Sequence, residues 1–282
     1  MVVGLKQGLR DLGYVEGRDV VLDIRAARND KTLAVAAVGE LVKAQAHVIV
    51  SAGTIATTAA QLAAAQVPVV FTQVGEPIAA GFVKTLQRPG GNMTGFTHLL
   101  SDTSGKRLEI LKELVPACRT VLVIYDPSNP TSRQSVTVAR NATKRLGLVL
   151  RERHVAVQSD VLGAIAGVER STSDALLVIP DSLVANAGEH IVAMSRQKRV
   201  PVMFHEATWV ERGGLASYGA SFVDLGRRAA AYVDKIVKGA KAGDLPVEQP
   251  TKFELVLNRG TAKALGIAIP HSLILRAAKV VE

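Results

Sequence analysis

Ser51, Gly53 and Thr54, in the stretch VSAGT, stand where a short apolar run gives way to an Ala-rich one. Two hydroxyls and a glycine just ahead of a helix can hold an anion. The first backbone N–H groups of a helix have no partner within it, and its dipole adds positive potential there. Serine and threonine in such positions also cap helices, and the two roles are compatible. Further on, FTQVGEP offers an amide at Gln73, a turn at Gly75 and a carboxylate at Glu76. Glu76 precedes a proline, which favours extended backbone. Asp181, in IPDS, is a second carboxylate. Either acid can receive a ligand ammonium. The structural alternatives are an exposed loop carboxylate for Glu76 and a helix cap for Asp181. YDPSNP supplies Tyr125, Asp126 and Asn129, and its acid and amide are also typical of Asx-turns and caps. Tyr125, Phe204 and Tyr218 can wall an apolar ligand or belong to the core. His205 can hydrogen-bond a ligand or serve the structure.

Nothing here spells out catalysis. No nucleophile elbow, phosphate-binding loop, dinucleotide fingerprint or zinc-protease motif occurs. The six histidines are dispersed, without metal-ligand spacing on a helix. The single cysteine, Cys118, excludes an intrachain disulfide and a Cys-based zinc site. A formal charge of +9 and a pI of about 9.8 raise the question of nucleic acid. The basic residues are interleaved with acids, as in SGKRLEILKEL, and aromatics are few, which points to solvated faces instead.

The elements that must position these residues follow from alternation. HVIVSAG and VPVVFTQ are buried strands, with a helix over 54–65 between them. VVLDIRAA (20–27) reads as a strand, 31–45 as a helix and IAAGFVKTL as a short helix. After NMTGFTH the pattern restarts, with helices at 104–115, 131–146, 161–171 and 184–198. The strands among them are RTVLVIY, LVLRERHVAV, DALLVI, VPVMF and GGLASYGA. An amphipathic helix begins after 220, TKFELVLN is a late strand, RGTAKAL a short helix, and SLILRA closes the chain. Apolar strands alternating with amphipathic helices signal α/β architecture with parallel sheets, here two βα series separated near residue 98. In such sheets ligands lie beyond the carboxyl ends of the strands, where the candidates above fall. The chain begins within a helix, so the first strand and any leader are expected to be missing from it. Mean hydropathy is +0.22 and no apolar run reaches a membrane span.

Seven segments together resemble the ABC-transporter substrate-binding proteins of the tryptophan/tyrosine-uptake-like group. They are GLRDLGYVEGRDVVLDIRAA, HVIVSAGT, VPVVFTQVGEPIAAGFVKTLQRPGGNMTG, SGKRLEILKELVP, YDPSNP, DALLVIPDS and DLPVEQPTKFELVLNRGTAKALGIAIPHSLILRA. The resemblance runs almost end to end, and its specificity lies in the composite. It implies a type I periplasmic-binding fold of two doubly wound parallel-sheet lobes joined by crossing strands, closing on ligand in the cleft between them. Lobe 1 would hold 1–98 and 221–248, lobe 2 99–220 and 249–282. It implies a periplasmic solute-binding component of an ABC importer. Such a component is a monomer and not an enzyme, and it needs no cofactor or metal. It would hand a small amino-acid-like ligand, aromatic or branched, to a membrane permease with its ATPase. The family's Ser/Thr turn falls on Ser51, Gly53 and Thr54. Its Gly-acid-Pro loop falls on Gly75, Glu76 and Pro77, with Glu where Asp is common. Its second-lobe Pro-Asp loop falls on Pro180 and Asp181. Two alternatives share the architecture: a transcriptional regulator's effector domain, which would need a helix-turn-helix segment, and an α/β enzyme, which would need a reacting pair.

Overall fold

Two sheets carry the strand ends. The computed structural model describes residues 1–27, 30–64, 66–98 and 101–282. The chain divides into two compact units. Unit 1 is Met1–His98 with Ser221–Lys252, and unit 2 is Leu99–Ala220 with Phe253–Glu282.

In unit 1, β1 (Ile49–Ala52), β2 (Val69–Val74) and β3 (Met93–Thr97) run parallel in the order β1-β2-β3. β2 and β3 are buried almost throughout, which is why they read as continuous apolar runs. The helices are α1 (Val2–Asp11), α2 (Lys31–Lys43), α3 (Thr54–Ala63) and α10 (Phe222–Val237). α1 packs directly on α10 through Leu5 and Leu9, and glycines let the backbones touch. A Cβ on Gly4 would lie 1.8 Å from the Val223 carbonyl oxygen, and one on Gly226 2.1 Å from that of Met1.

The segment around Glu248 returns beside β3. The Thr97 N–H donates to the Glu248 carbonyl (2.9 Å), and the Glu248 N–H to that of Gly95 (3.0 Å). Tyr232 donates its hydroxyl to Pro246 O and to the Glu248 carboxylate, each at 2.8 Å. Arg228 pairs with the same carboxylate and lies 5.0 Å over the Phe96 ring. Burial raises the Tyr232 phenol, and its bond to Glu248 adds to that. Burial opposes ionisation of Glu248, but the bonds from Arg228 and Tyr232 outweigh it and hold the carboxyl below its usual range. A depressed carboxyl contributes stability that is full above its unfolded pKa and lost as pH falls through the folded value. Unit 1 should therefore lose stability below about pH 4.5, the ordinary glutamate value, and Glu248→Gln should flatten that acid limb in pH-dependent urea melts.

In unit 2 the sheet has seven strands in the order β10-β9-β8-β7-β6-β4-β5. They are β4 (Thr120–Tyr125), β5 (Val149–His154), β6 (Ala175–Leu177), β7 (Val202–Phe204), β8 (Ala216–Ala220), β9 (Phe253–Asn258) and β10 (Lys279–Val281). The helices are α4 (Ser104–Leu114), α5 (Pro130–Leu146), α6 (Gln158–Ala166), α7 (Ser182–Ala185), α8 (Gly188–Lys198), α9 (Ala207–Glu211), α11 (Arg259–Leu265) and α12 (His271–Arg276). The sheet is parallel except where β9 meets β8. The chain leaves unit 2 after Ala220 and re-enters at Phe253, its register partner, so it must run back along the strand it left.

Four expectations are corrected. Residues 21–27 form no strand. Among the described residues the sole pairing nearby is an isolated bridge, Glu16 to Val20, and Val21 and Ile24 are exposed. β-branched residues without an adjacent ladder do not make a strand. IAAGFVKTL is a chain of turns: Phe82 and Val83 both donate to Pro77 O, and Gly81 takes a positive φ of 72°. The helix expected over 184–198 is two, α7 and α8. The helix expected over 161–171 starts at Gln158 and ends at Ala166, before Gly167. The end of the 54–65 helix at Ala65 lies outside the described residues.

Candidate functional site

β1 ends at Ala52, and Gly53 (φ 83°, ψ 162°) turns the chain into α3 as its N-cap. That conformation suits glycine and leaves no side chain to cap the helix. Among the described residues, nothing accepts from the N–H groups of Thr54, Ile55 and Ala56. Three aligned donors at a helix start, beyond a strand's carboxyl end, make a seat for a carboxylate. The turn is braced from beneath. The Gly53 N–H donates to Thr72 O (2.9 Å), and the Thr72 hydroxyl to Ser51 O (3.2 Å). Thr57 spends its proton on Gly53 O (2.8 Å), so in the 2.9 Å contact between Ser51 and Thr57 the donor is Ser51. Ser51, buried, thus has no proton left for a carboxylate, and its hydroxyl can only accept.

β2 is the neighbouring strand, and its end carries Gln73, Gly75 and Glu76. Gln73 sits at φ 58°, where the ladder with β3 shifts register between Phe71 and Val74. A left-handed glutamine stores strain of about 1 kcal/mol or more, the kind of strain kept where function requires a geometry. Gln73→Gly should relieve it and raise unit 1 stability by about 0.5–1 kcal/mol, read as a higher urea midpoint. Glu76 and Thr54 are exposed and Gly75 is half-buried. The structure therefore brings Ser51, Gly53, Thr54, Gln73, Gly75 and Glu76 together on two adjacent strand ends.

In unit 2, Tyr125, Asn129 and Asp181 gather at the ends of β4 and β6, which pair with each other. Asn129 caps α5, accepting from the N–H groups of Thr131 (3.0 Å) and Ser132 (3.5 Å). Asp126 forms the expected Asx-turn with the Ser128 N–H (2.7 Å). Asp181, 5% exposed, accepts from four donors. Leu183 N (2.9 Å) and Val184 N (3.3 Å) reach Oδ1; Asp126 N (3.0 Å) and the Ser132 hydroxyl (2.7 Å) reach Oδ2. Its lone pairs are committed to the chain. Tyr125 is buried and donates to Glu152 (2.8 Å). Burial, then that bond, raises its phenol. Phe204 is sealed in the core, 6.4 Å from Trp209. His205 is buried, 3.4 Å from the Val178 carbonyl. Tyr218 stays half-buried and stacks on Phe253 at 6.0 Å. A cavity of about 450 Å³ lined by Arg196, Arg212 and Asn258 contains none of these residues and lies among surface ion pairs.

Sequence reasoning missed the bracing hydroxyls of Thr57, Thr72 and Ser132, and it missed Arg107. Arg107 reads as part of a solvated face, yet it is fully buried on α4 and donates to the Ser104 hydroxyl at 2.7 Å. Burial lowers its guanidinium to about 9, so it stays charged at neutral pH.

Comparison with known proteins bears on this geometry. The sequence profile of the family described as ABC transporter substrate binding protein matches residues 1–281. A tyrosine-binding protein of Clostridioides difficile is 29% identical over 262 residues, 93% of this chain and 75% of the relative. A solved conserved domain protein from Vibrio cholerae superposes with a TM-score of 0.87 at 30% identity, over 99% of this chain and 93% of its own. An ABC domain from Streptococcus pneumonia solved in complex with L-Trp gives 0.84 at 27% identity, over 99% and 94%.

Proposed function

The chain belongs to the ABC transporter substrate-binding protein family, and from that premise we propose that it captures an aromatic amino acid and delivers it to a membrane permease with its ATPase. It is a solute-binding component of an importer and not an enzyme, and its architecture is that of the type I periplasmic-binding proteins. Members of the family act outside the cytoplasmic membrane, and no helix among the described residues is long and apolar enough to cross one. Periplasmic residence and a monomeric state belong to our reading.

The observation that carries the ligand class is the uncapped start of α3. The open N–H groups of Thr54, Ile55 and Ala56 suit a carboxylate, and the exposed carboxylate of Glu76 on the adjacent strand end suits an ammonium. One α-amino acid presents both charges. The relatives named for tyrosine and solved with L-Trp favour an aromatic side chain. Asp181, with its oxygens committed, we assign to positioning the unit 2 strand-end loops.

The test is a thermal-shift panel. An aromatic L-amino acid at about a hundred times its Kd should stabilise the protein by about 2.7 kcal/mol. Tyramine and tryptamine, which lack the carboxylate, should give no shift at the same concentration. A full panel of amino acids without a shift would sink the reading. Thr54→Ala should weaken the ligand by about 1 kcal/mol; unchanged affinity would remove that hydroxyl from the site.

A further inference from the structure

The basic residues that look interleaved along the chain are gathered by the fold at one edge of the unit 2 sheet. Over residues 130–154, spanning α5 and β5, stand Arg133, Arg140, Lys144, Arg145, Arg151 and Arg153, with Glu152 the only acid. All six cations are exposed. The stretch holds more than half of the chain's formal charge of +9.

Among the described residues β5 is the last strand of the sheet and pairs only with β4. Val149 and Val155 donate their N–H groups toward β4, to Arg119 O and Tyr125 O. By strand alternation Leu150, Glu152 and His154 therefore turn their backbone groups to the open side. Arg151 and Arg153 share the sheet face opposite Glu152, which pairs with Arg140 on α5 at 2.8 Å. Arg133 is spent on the carbonyls of Pro127 and Ser128. Among the described residues, Lys144, Arg145, Arg151 and Arg153 meet no carboxylate within ion-pair distance.

Edge strands carry charge to prevent sheet-to-sheet pairing. That accounts for Arg151 and Arg153, and the dipole of α5 favours Lys144 and Arg145 in its last turn, but neither effect requires four cations without carboxylate partners on adjacent elements. Three of the four cations without a carboxylate are arginine, whose planar fork matches phosphate oxygens better than an ammonium does. We propose that this edge docks on a surface of anionic phospholipid headgroups, whose phosphates accept from Lys144, Arg145, Arg151 and Arg153. A cation near such a surface contributes about a fivefold gain in partitioning, so four give weak, reversible, salt-sensitive adsorption. The proposal does not depend on which solute is carried.

The experiment is vesicle co-sedimentation of the full chain without amino acid, so the ligand reading can fail without touching it. Mixed phosphatidylglycerol–phosphatidylcholine vesicles should bind the protein at low salt and release it as salt rises. Phosphatidylcholine alone should not bind it. The double variant Arg151→Glu/Arg153→Glu should lose at least about tenfold in partitioning. Lys144→Gln/Arg145→Gln, which puts no acid in the last turn of α5, serves as a second probe and should lose a similar amount. Lys31→Glu/Lys43→Glu, exposed on α2 of unit 1 and equal in charge change to the β5 variant, should stay within about twofold of the parent. Equal binding to neutral vesicles, full binding by both edge variants, or an equal loss in the unit 1 control would overturn the proposal. So would binding to a short DNA duplex without binding to vesicles, which would assign the edge to nucleic-acid phosphates.

Discussion

Asp181→Ala should cost unit 2 about 3–5 kcal/mol. The carboxylate is buried and gathers two N–H groups of its own loop and helix, the Asp126 N–H and the Ser132 hydroxyl. Alanine removes the acceptor and leaves three N–H donors facing a cavity, while the Ser132 hydroxyl keeps Pro180 O at 2.9 Å. Asp181→Asn keeps the shape but sets an NH2 against donors, for a loss of about 2 kcal/mol. Both effects should appear in urea denaturation. If Asp181 instead paired with a ligand ammonium, the asparagine variant would keep parental stability. It would then lose an amino acid far more than its des-amino analogue. The expected result is the reverse: reduced stability, and equal losses for the two ligands.

Gly95→Val should be more damaging still, costing about 4 kcal/mol or more. Gly95 lies in β3 at φ 154°, and a Cβ there would fall 1.9 Å from Phe71 O and 2.7 Å from its C and N. The obstruction is the backbone of β2, so no rotamer change relieves it. The strands must part, in a sheet with three strands among the described residues, and β3 would be left with the short pairing to Glu248. Because β2 leads to Gln73, Gly75 and Glu76, ligand affinity should fall with stability. Soluble yield, trypsin sensitivity of unit 1 and ligand-induced melting shifts would report it. A variant with the parental urea midpoint would show that β3 can stand off β2.

What the sequence made legible was local periodicity. The buried strands ending at Ala52 and Val74 follow from spacing, and so does the stripe on α10 read as Leu225, Ala229, Tyr232, Val233, Ile236 and Val237, although Val233 is only half-buried and Val237 is exposed at the helix end. So did the placing of Ser51, Gly53 and Thr54 beside Gln73, Gly75 and Glu76, because parallel strands put their carboxyl ends on one side. Tertiary partnership was not legible. VVLDIRAA has strand composition, but composition cannot supply a neighbouring ladder. Asp181 could be named, but not its occupancy: Ser132 and Asp126 lie 49 and 55 positions away. Arg107 sits among charges that read as a solvated face, and only packing shows it buried. In IAAGFVKTL, residues with helical spacing yielded to turns anchored on Pro77 O.

Trp209 is the chain's single tryptophan. It stacks near Phe204, with the Arg212 guanidinium 5.4 Å over its ring and the Gly188 backbone pressed against it. Excitation at the red edge of the indole band therefore samples unit 2 alone, through an emitter with one cation over its ring. Emission and heat capacity become separable channels: calorimetry sees both units melt, and the fluorophore sees one. Titrating with tyrosine, which that wavelength does not excite, would show whether a solute seated at α3 changes the surroundings of an indole held in the other half of the chain.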